Sequence, residues 1–407
     1  MTFLTHRLDN GIRIVHKPTD SLLAHCGITI NTGSRDELNN EQGLAHFIEH
    51  VVFKGTQKRK THHVLSRMEN VGGELNAYTS KEDTCIHSTF MSKFYPRFFE
   101  LLSDIMFNSS FPDKEIEKEK DIVIDEINSY KDTPDEQIMD DFDEIIFANN
   151  SLGRNILGTP KNIRSFNRQK IDNFIRDNYA TDEMVICSVG NMSFNKIIRL
   201  SEKYFGQIEH SIKNRQGRVV NGYMPANKII KRRNHQVHCV IGNRAYSAHS
   251  EMKTAMVLLN NIFAGPVLNS RLNMMLREKY GLCYSIESNY QPYSDTGAFG
   301  VYFGTDKNYI DKAIELTHKE MKKLREAQLG SLQLKRAKQQ LSGQIAIALE
   351  SNFNEMLSIG KSILMFDKVD TIEEMNNKID KVTTGDILDV ANTVFDPQQL
   401  SMLIYKP

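Results

Sequence analysis

The chain has 407 residues, which is long for one ordinary domain and predicts two or three. Its 51 basic and 51 acidic residues balance, so no field over the whole surface favours nucleic acid or an anionic membrane as a partner. The N-terminus lacks a basic stretch followed by an apolar core, and no apolar run reaches membrane-spanning length, so we expect a cytoplasmic protein without a signal peptide.

The predicted elements fall into separate runs of strands and helices. IRIVH (12–16) and CGITINTG (26–33) are typical of strands. Long amphipathic or charged patterns predict helices at 94–107, 113–131, 135–147, 308–328 and 332–351. Such segregation predicts an α+β fold rather than a doubly wound parallel sheet.

Two segments recur later in the chain at nearly the same offset. AHCGITINTGS (24–34) shares His-Cys and Ser in register with VHCVIGNRAYS (237–247), and residues 171–189 align without gaps on 387–405. The second pair predicts an amphipathic helix, an acidic turn and an apolar strand in each copy. We therefore predict two homologous halves, 1–212 and 228–407, joined by a polar linker at 213–227.

Cysteine usage bears on the compartment. The five cysteines are an odd number, lie far apart, and each falls in a strand-like apolar run: Cys26, Cys85, Cys187, Cys239 and Cys283. This pattern predicts buried, reduced thiols rather than disulfides or a thiolate metal site.

The stretch GLAHFIEHVVFKGT (43–56) carries a candidate metal motif. On a helix, His46 and His50 share one face, and Glu49 projects beside them. Two imidazoles, a third ligand and an open position are what a catalytic zinc needs, and H-x-x-E-H is the inverted form of that motif. The alternative is a surface helix with solvated histidines. Apolar flanking residues leave almost no polar face, which favours a buried helix whose histidines need partners.

A third ligand is expected from the acidic helix at 113–131. Its apolar residues Ile116, Ile122, Val123 and Ile127 predict an inward-facing stripe. Six acidic residues of this helix are candidates: Glu115, Glu117, Glu119, Asp121, Asp125 and Glu126. Glu119 and Glu126 lie two turns apart on one side and both flank the stripe, so they are the natural pair, but composition does not choose between them.

Four motifs together resemble one known family: LDNGIRIVHKPTD (8–20), NTGSRDE (31–37), the stretch 43–56, and VGGELNAYTSKEDT (71–84). Over essentially its whole length the chain is similar to the pitrilysin-type (M16) zinc metallopeptidases, which include insulin-degrading enzyme and the mitochondrial processing peptidase. In size it is most similar to bacterial members that resemble the processing peptidase. The resemblance implies one Zn²⁺ per chain, bound by His46, His50 and Glu126. It also implies that Glu49 is the general base for a zinc-bound water. Glu119 is expected to support the zinc site without binding the metal itself.

The resemblance extends to the second half and to the fold. Arg277 and Tyr284, in SRLNMMLREKYGLCYSIES (270–288), match a pair that stabilises the developing oxyanion in the family. Asn76 and Ala77 match an edge strand on which substrate backbone pairs as an added strand. The implied fold is two α/β-roll halves, each an antiparallel-rich sheet flanked by helices, forming a clamshell. FAGPVLNSRL (263–272) departs from the family, because Ala264 and Pro266 stand where glycines are common.

The resulting hypothesis is a zinc-dependent metalloendopeptidase that hydrolyses peptides or unstructured segments inside an enclosed chamber. Single-chain relatives hold four such units and this chain has two, which predicts a homodimer. No nucleic-acid or membrane partner is expected. The alternative is a non-catalytic subunit or assembly protein of the same fold. Loss of the zinc motif marks such relatives, and here the motif is intact. A simple metal-binding protein would leave Glu49 unexplained.

Overall fold

A computed structural model describes residues 3–213, 220 and 222–407 of the chain. The strands of its first part are β1 (Leu4–Arg7), β2 (Arg13–Pro18), β3 (Leu23–Ile30), β4 (Glu74–Thr79), β5 (Thr84–Met91) and β6 (Met184–Gly190). The helices of that part are α1 (Leu44–Val51), α2 (Thr61–Glu69), α3 (Tyr95–Asn108), α4 (Asp113–Tyr130), α5 (Pro134–Ile146), α6 (Pro160–Ser165), α7 (Arg168–Asn178) and α8 (Phe194–Phe205).

The second part of the chain contains a similar set of elements. Its strands are β7 (Asn227–Lys231), β8 (Val237–Ala245), β9 (Cys283–Pro292), β10 (Gly297–Thr305) and β11 (Ser401–Lys406). Its helices are α9 (Lys253–Ala264), α10 (Ile310–Glu326), α11 (Ser331–Ala348), α12 (Asn352–Phe366), α13 (Ile372–Lys381) and α14 (Thr384–Val394), with a π-helical segment at Asn273–Lys279.

In the described part of the chain, β1 to β6 form one mixed sheet in the order β1-β2-β6-β3-β5-β4. The pair β2/β6 is parallel and the other neighbours are antiparallel. The register places Ile14, Ile186, Ile28 and Ile86 in one row across four strands. These isoleucines are buried and belong to the core between this sheet face and α3 and α8.

The opposite face of the same sheet is also buried. Because side chains alternate along a strand, the residues between the core positions point to this second face. There Val15, Val185 and Cys187 pack against α12, which comes from the second part of the chain. A Cβ on Gly360 of α12 would lie 2.7 Å from Oγ1 of Thr29, so a larger residue would push the helix off the sheet. Burial on both faces explains why every residue of the central strand β6 is buried.

The second sheet repeats the first. Its order is β7-β11-β8-β10-β9, with β7/β11 parallel and the other neighbours antiparallel. This order matches β2-β6-β3-β5-β4 strand for strand, and β3 with β8 is one of the pairs recognised from the sequence. The helix-turn-strand repeat corresponds to α7 with β6 and to α14 with β11. The predicted α+β fold with two homologous halves is therefore confirmed.

The compact units are not contiguous in sequence. The first comprises Met1–Asn128, Arg154–Gln216 and Ile347–Thr371, and the second Ser129–Gly153, Gly217–Ala346 and Ile372–Pro407. This differs from the expected division into 1–212 and 228–407, because α12 completes the first unit and α5 completes the second. Each of these helices covers the sheet face that the other helices of its unit leave open. Residues 214–219 and 221 of the predicted linker lie outside the described residues. The clamshell stays a prediction.

Two predictions about individual residues have clear outcomes. All five cysteines are buried, and each lies in a strand as expected. The prediction that Ile122 belongs to the inward stripe of α4 is wrong, because Ile122 is 50 % exposed. Glu119 and Lys120 are buried on this helix instead; Glu119 pairs with Lys54, and Lys120 pairs with the exposed Glu117 of the same helix. A stripe read from apolar residues alone misses such buried charged positions.

Candidate metal centre

Helix α1 begins in a backbone conformation that few residues other than glycine adopt. Gly43, which precedes its first turn, has φ 94°. From there Leu44, Phe47 and Ile48 are buried in a cluster shared with α4 and α7. The helix is therefore held by its apolar residues, as its sequence predicts. This burial leaves the His46 and His50 side of the helix facing α4.

Three side chains converge at this point. Nε2 of His46 lies 3.8 Å from one carboxylate oxygen of Glu126, and Nε2 of His50 lies 3.4 Å from the other. The potential ligand atoms of the three residues all lie within 4.8 Å of one another. Two donors about 2.1 Å from one tetrahedral ion would be about 3.4 Å apart, so a small side-chain adjustment would suffice.

The chemistry of these donors fits zinc. Burial, with a further contribution from His50, lowers the pKa of His46 to about 4, so its ring is neutral and its nitrogens can bind a metal. Nδ1 of His46 is buried and has no hydrogen-bond partner among the described residues. Glu126 is 43 % exposed, which leaves one side of the group open. Two imidazoles, one carboxylate and an open side are the donor set of a catalytic zinc site.

Glu49 lies beside the three converging residues. Burial raises the pKa of its carboxyl and nearby Glu126 adds to the rise, whereas Thr79 and His50 oppose it. A carboxylate with a raised pKa is a better proton acceptor than an exposed one. Glu49 therefore lies near the candidate ligands and has a raised pKa, and its role as a general base stays a prediction.

Glu119 occupies a different environment from Glu126, seven residues later on the same helix. It is buried, and one of its carboxylate oxygens lies 2.6 Å from Nζ of Lys54. Lys54 follows α1 in the sequence, so this ion pair ties α4 to the segment after the metal-motif helix. The sequence pointed to Glu119 but offered no reason to select Lys54. The predicted support of a metal by Glu119 stays a prediction.

Strand β4, which carries Asn76 and Ala77, is an edge strand of the first sheet and packs against α1. The side-chain oxygen of Asn76 accepts a hydrogen bond from the backbone N–H of Ala77 at 2.9 Å. The last residue of β4 is Thr79, which lies against Glu49. An extended edge strand thus runs directly to the candidate metal centre, while a substrate role for Asn76 and Ala77 stays a prediction.

Arg277 and Tyr284 lie together in the second unit. Arg277 belongs to the π-helical segment, and its guanidinium stacks over the ring of Tyr284 at 5.0 Å. Tyr284, near the start of the edge strand β9, is 79 % exposed. The structure therefore brings this predicted pair together on an accessible surface.

Sequence reasoning missed a carboxylate that contacts the start of α1. Glu37 is buried and accepts hydrogen bonds from the backbone N–H groups of Gly43 and Ala45. The available signal was a glutamate six residues before Gly43, which stands at the N-cap and has no side chain to cap the helix. It is weak, because the intervening loop could take many paths.

The chain is similar to known proteins over nearly its whole length. Residues 13–160 match the family described as Insulinase (Peptidase family M16), and residues 165–341 match the Peptidase M16 inactive domain. The chain is 32 % identical over 398 residues to the uncharacterized zinc protease YmxG of Bacillus subtilis, covering 97 % of this chain and 96 % of that protein. It is 30 % identical over 416 residues to the mitochondrial-processing peptidase subunit beta of Saccharomyces cerevisiae, covering 98 % and 90 %.

Solved structures show the same fold. A protease from Helicobacter pylori matches with a TM-score of 0.93 at 18 % identity, over 100 % of both chains. The peptidase M16 inactive domain from Pseudomonas fluorescens matches with a TM-score of 0.92 at 16 % identity, covering 100 % of this chain and 98 % of that one. None of the helices within residues 3–213, 220 and 222–407 combines the length and the apolar composition of a membrane-spanning segment.

Proposed function

Because the chain belongs to the insulinase family of peptidases, M16, we propose that it is a zinc-dependent endopeptidase that hydrolyses peptides or unstructured polypeptide segments. The convergence of His46, His50 and Glu126 on one point carries this proposal. These three residues would hold one Zn²⁺ per chain. The names of the zinc-protease relatives support the choice of metal.

The metal and Glu49 would have different roles in the reaction. A bound zinc ion would supply a Lewis acid and lower the pKa of a water molecule to about 7. Glu49 would accept the proton of the attacking water and then pass it to the leaving amine. Its raised pKa supports both steps, because the same carboxyl must first hold and then release a proton.

The edge strand β4 suggests how a substrate is held. An extended peptide can add to an exposed sheet edge through backbone hydrogen bonds, and a segment without a fold of its own has its backbone free to do so. Asn76 and Ala77 are the proposed contact residues, and β4 leads to Thr79 beside Glu49. We therefore propose that flexible segments are the substrates, independent of most side-chain identities.

Arg277 and Tyr284 are proposed to donate hydrogen bonds to the oxygen that becomes negative during attack on the carbonyl. The resemblance supports this role. The stacking of Arg277 on Tyr284 and the exposure of Tyr284 support it as well. The enclosed chamber in which both sets of residues would act is likewise proposed from the resemblance.

A homodimer and a cytoplasmic location are further proposals that rest on the resemblance and the sequence. Sedimentation equilibrium tests the first: a dimer has twice the single-chain mass of 46.7 kDa. A mass equal to one chain at all concentrations would overturn it.

The function is tested by peptide cleavage with the wild type and Glu49→Gln. Metal content is measured in both proteins, and cleavage of a quenched fluorescent peptide is followed with and without a chelator. We expect equal zinc content, cleavage by the wild type that the chelator abolishes, and no cleavage by Glu49→Gln. Exposed Glu69→Gln is the matched control and should cleave normally. Undiminished cleavage by Glu49→Gln would overturn the assignment.

The second candidate is a non-catalytic subunit, since residues 165–341 match a domain described as inactive. The candidate metal ligands lie within 13–160 instead, in the part that matches the peptidase domain. The same experiment separates the two functions. A wild type that binds zinc and cleaves no peptide, alone or as a dimer, would favour the subunit.

A further inference from the structure

The start of α1 is capped in an unusual way. A helix begins with backbone N–H groups that have no partner within the helix, and a Ser, Thr, Asp or Asn side chain at the N-cap usually accepts one of them. Here Gly43 stands at the N-cap and has no side chain. Glu37 caps the helix instead, because its Oε1 accepts the N–H of Ala45 at 2.8 Å and its Oε2 accepts the N–H of Gly43 at 3.0 Å.

Glu37 is itself held in place on both sides. Two residues earlier, Arg35 forms a buried ion pair with Glu82, in the turn between β4 and β5, at 2.6 Å. Arg154 donates a hydrogen bond to the backbone carbonyl of Glu37 at 2.9 Å and a second one to the side chain of Asn39. The backbone around Glu37 is therefore fixed to the loop before α6 and to the turn that follows the edge strand β4.

The two hydrogen bonds require both oxygens of the side chain. Glu37 is 4 % exposed, so no water replaces a lost acceptor easily. Burial raises the pKa of this carboxyl, but two backbone N–H groups donate to separate oxygens and Arg154 lies nearby, and these contacts favour the ionised form. An ionised carboxylate offers two acceptors, whereas a carboxamide offers one and would turn its NH2 group toward the other N–H.

The position of this cap matters for the candidate metal centre. Ala45, whose N–H Glu37 binds, directly precedes His46, and α1 has only eight residues. A shift or rotation of the first turn would therefore move His46, Glu49 and His50 together relative to Glu126 on α4. Metal binding is sensitive to such displacements, because each donor must reach the ion within a few tenths of an ångström.

We propose that Glu37 is a positioning residue that aligns α1 with α4 for zinc binding. This inference rests on the proposed function, because it takes Zn²⁺ as the ligand of His46, His50 and Glu126. It assigns Glu37 no contact with metal or substrate. A purely structural cap would stabilise the first unit without changing zinc affinity.

The test compares zinc affinity and ligand geometry in Glu37→Gln with two control variants. Glu41→Gln removes a neighbouring charge whose carboxylate, among the described residues, accepts a hydrogen bond from the backbone N–H of exposed Leu38. Asn10→Ala removes buried hydrogen bonds to the carbonyls of Phe205 and Ile208, away from α1. Affinity is measured by competition with a chelator, geometry by the absorption spectrum of the Co²⁺-substituted proteins, and folding by circular dichroism.

We expect Glu37→Gln to lose about tenfold in zinc affinity and to show a changed Co²⁺ spectrum, since carboxylates that orient metal ligands have effects of this size. Glu41→Gln and Asn10→Ala should keep the wild-type affinity and spectrum, although Asn10→Ala is less stable. Wild-type zinc affinity in folded Glu37→Gln would overturn the inference. If Glu37→Gln does not fold, Glu37→Asp decides: its shorter side chain keeps the charge but cannot reach both N–H groups, so wild-type affinity again contradicts the proposal. A wild type that binds no zinc would instead overturn the proposed function.

Discussion

Gly158 and Gly43 are in direct backbone contact: a Cβ on Gly158 would lie 2.6 Å from the Cα of Gly43. Both residues also have positive φ angles, of 75° and 94°. The loop before α6 thus presses against the residue where α1 begins. Together with the Glu37 cap, this contact sets where the helix with His46 and His50 starts.

Gly158→Ala should destabilise the first unit by two separable effects. Alanine at positive φ costs about 1–2 kcal/mol, and the clash with the backbone at Gly43 adds about 1–3 kcal/mol. Gly72→Ala is the matched control, because Gly72 has φ 72° but nothing within 4 Å of its Cβ position. Urea denaturation measures both variants. Equal losses of stability would show that the contact with Gly43 contributes nothing.

Glu126→Gln should weaken zinc binding far more than a change elsewhere on α4. The variant replaces an anionic oxygen, 3.4 Å from Nε2 of His50, by a neutral amide. We expect the zinc affinity to fall by at least about 100-fold, which is more than the loss caused by changing a residue that only orients a ligand. Exposed Asp125→Asn removes the same charge one position earlier and should bind zinc normally. Chelator competition measures both, and similar affinities for the two variants would remove Glu126 from the ligand set.

Lys54→Met should lower the free energy of unfolding by about 3 kcal/mol, because it leaves the buried carboxylate of Glu119 without its partner. Lys118→Met breaks a solvent-exposed pair with Glu115 on the same helix and should cost less than about 1 kcal/mol. Guanidinium denaturation measures the difference. If both substitutions cost the same, the Lys54–Glu119 pair does not stabilise the packing of α4.

Tyr284→Phe should lower kcat by about 100-fold, since it removes one donor to the developing negative charge. Zinc content should not change, because Tyr284 belongs to the second unit and the candidate ligands to the first. Tyr280→Phe removes the hydroxyl of a neighbouring exposed tyrosine and serves as the control. Steady-state cleavage of a fluorogenic peptide gives both values. A kcat in Tyr284→Phe equal to that of the control would contradict the proposed role.

The free energy of unfolding should fall as the pH is lowered, because His87 is held neutral in the folded protein. Burial, with a further contribution from His25, lowers the pKa of His87 to about 4, while an unfolded histidine has a pKa of about 6.5. Between these values the unfolded state binds more protons, so the stability present above pH 6.5 is lost as pH falls toward 4. His87→Gln should flatten this dependence in urea melts at pH 7 and pH 5. Exposed His62→Gln should not, and an unchanged slope in His87→Gln would refute the prediction.

Much of the candidate centre followed from local patterns. Helical spacing placed His46, Glu49 and His50 on one turn, and the apolar flanks correctly predicted that the helix is buried. Spacing on the acidic helix reduced the candidates for the third ligand to two residues. The resemblance selected Glu126, whose carboxylate lies close to both histidines. Ile122 was misjudged, because a pattern of apolar residues does not show which charged side chains find buried partners.

The repeats at 24–34 and 171–189 already defined two similar halves, since strand and helix periodicity are properties of short segments. The sequence could not reveal that α12 completes the first unit, that α5 completes the second, or that Glu37 and Lys54 secure α1 and α4. Those outcomes depend on contacts between residues far apart in the chain. Such contacts depend on how the buried faces pack and on which partners the buried charges and N–H groups find. Neither of these produces a periodic pattern of residues in the sequence.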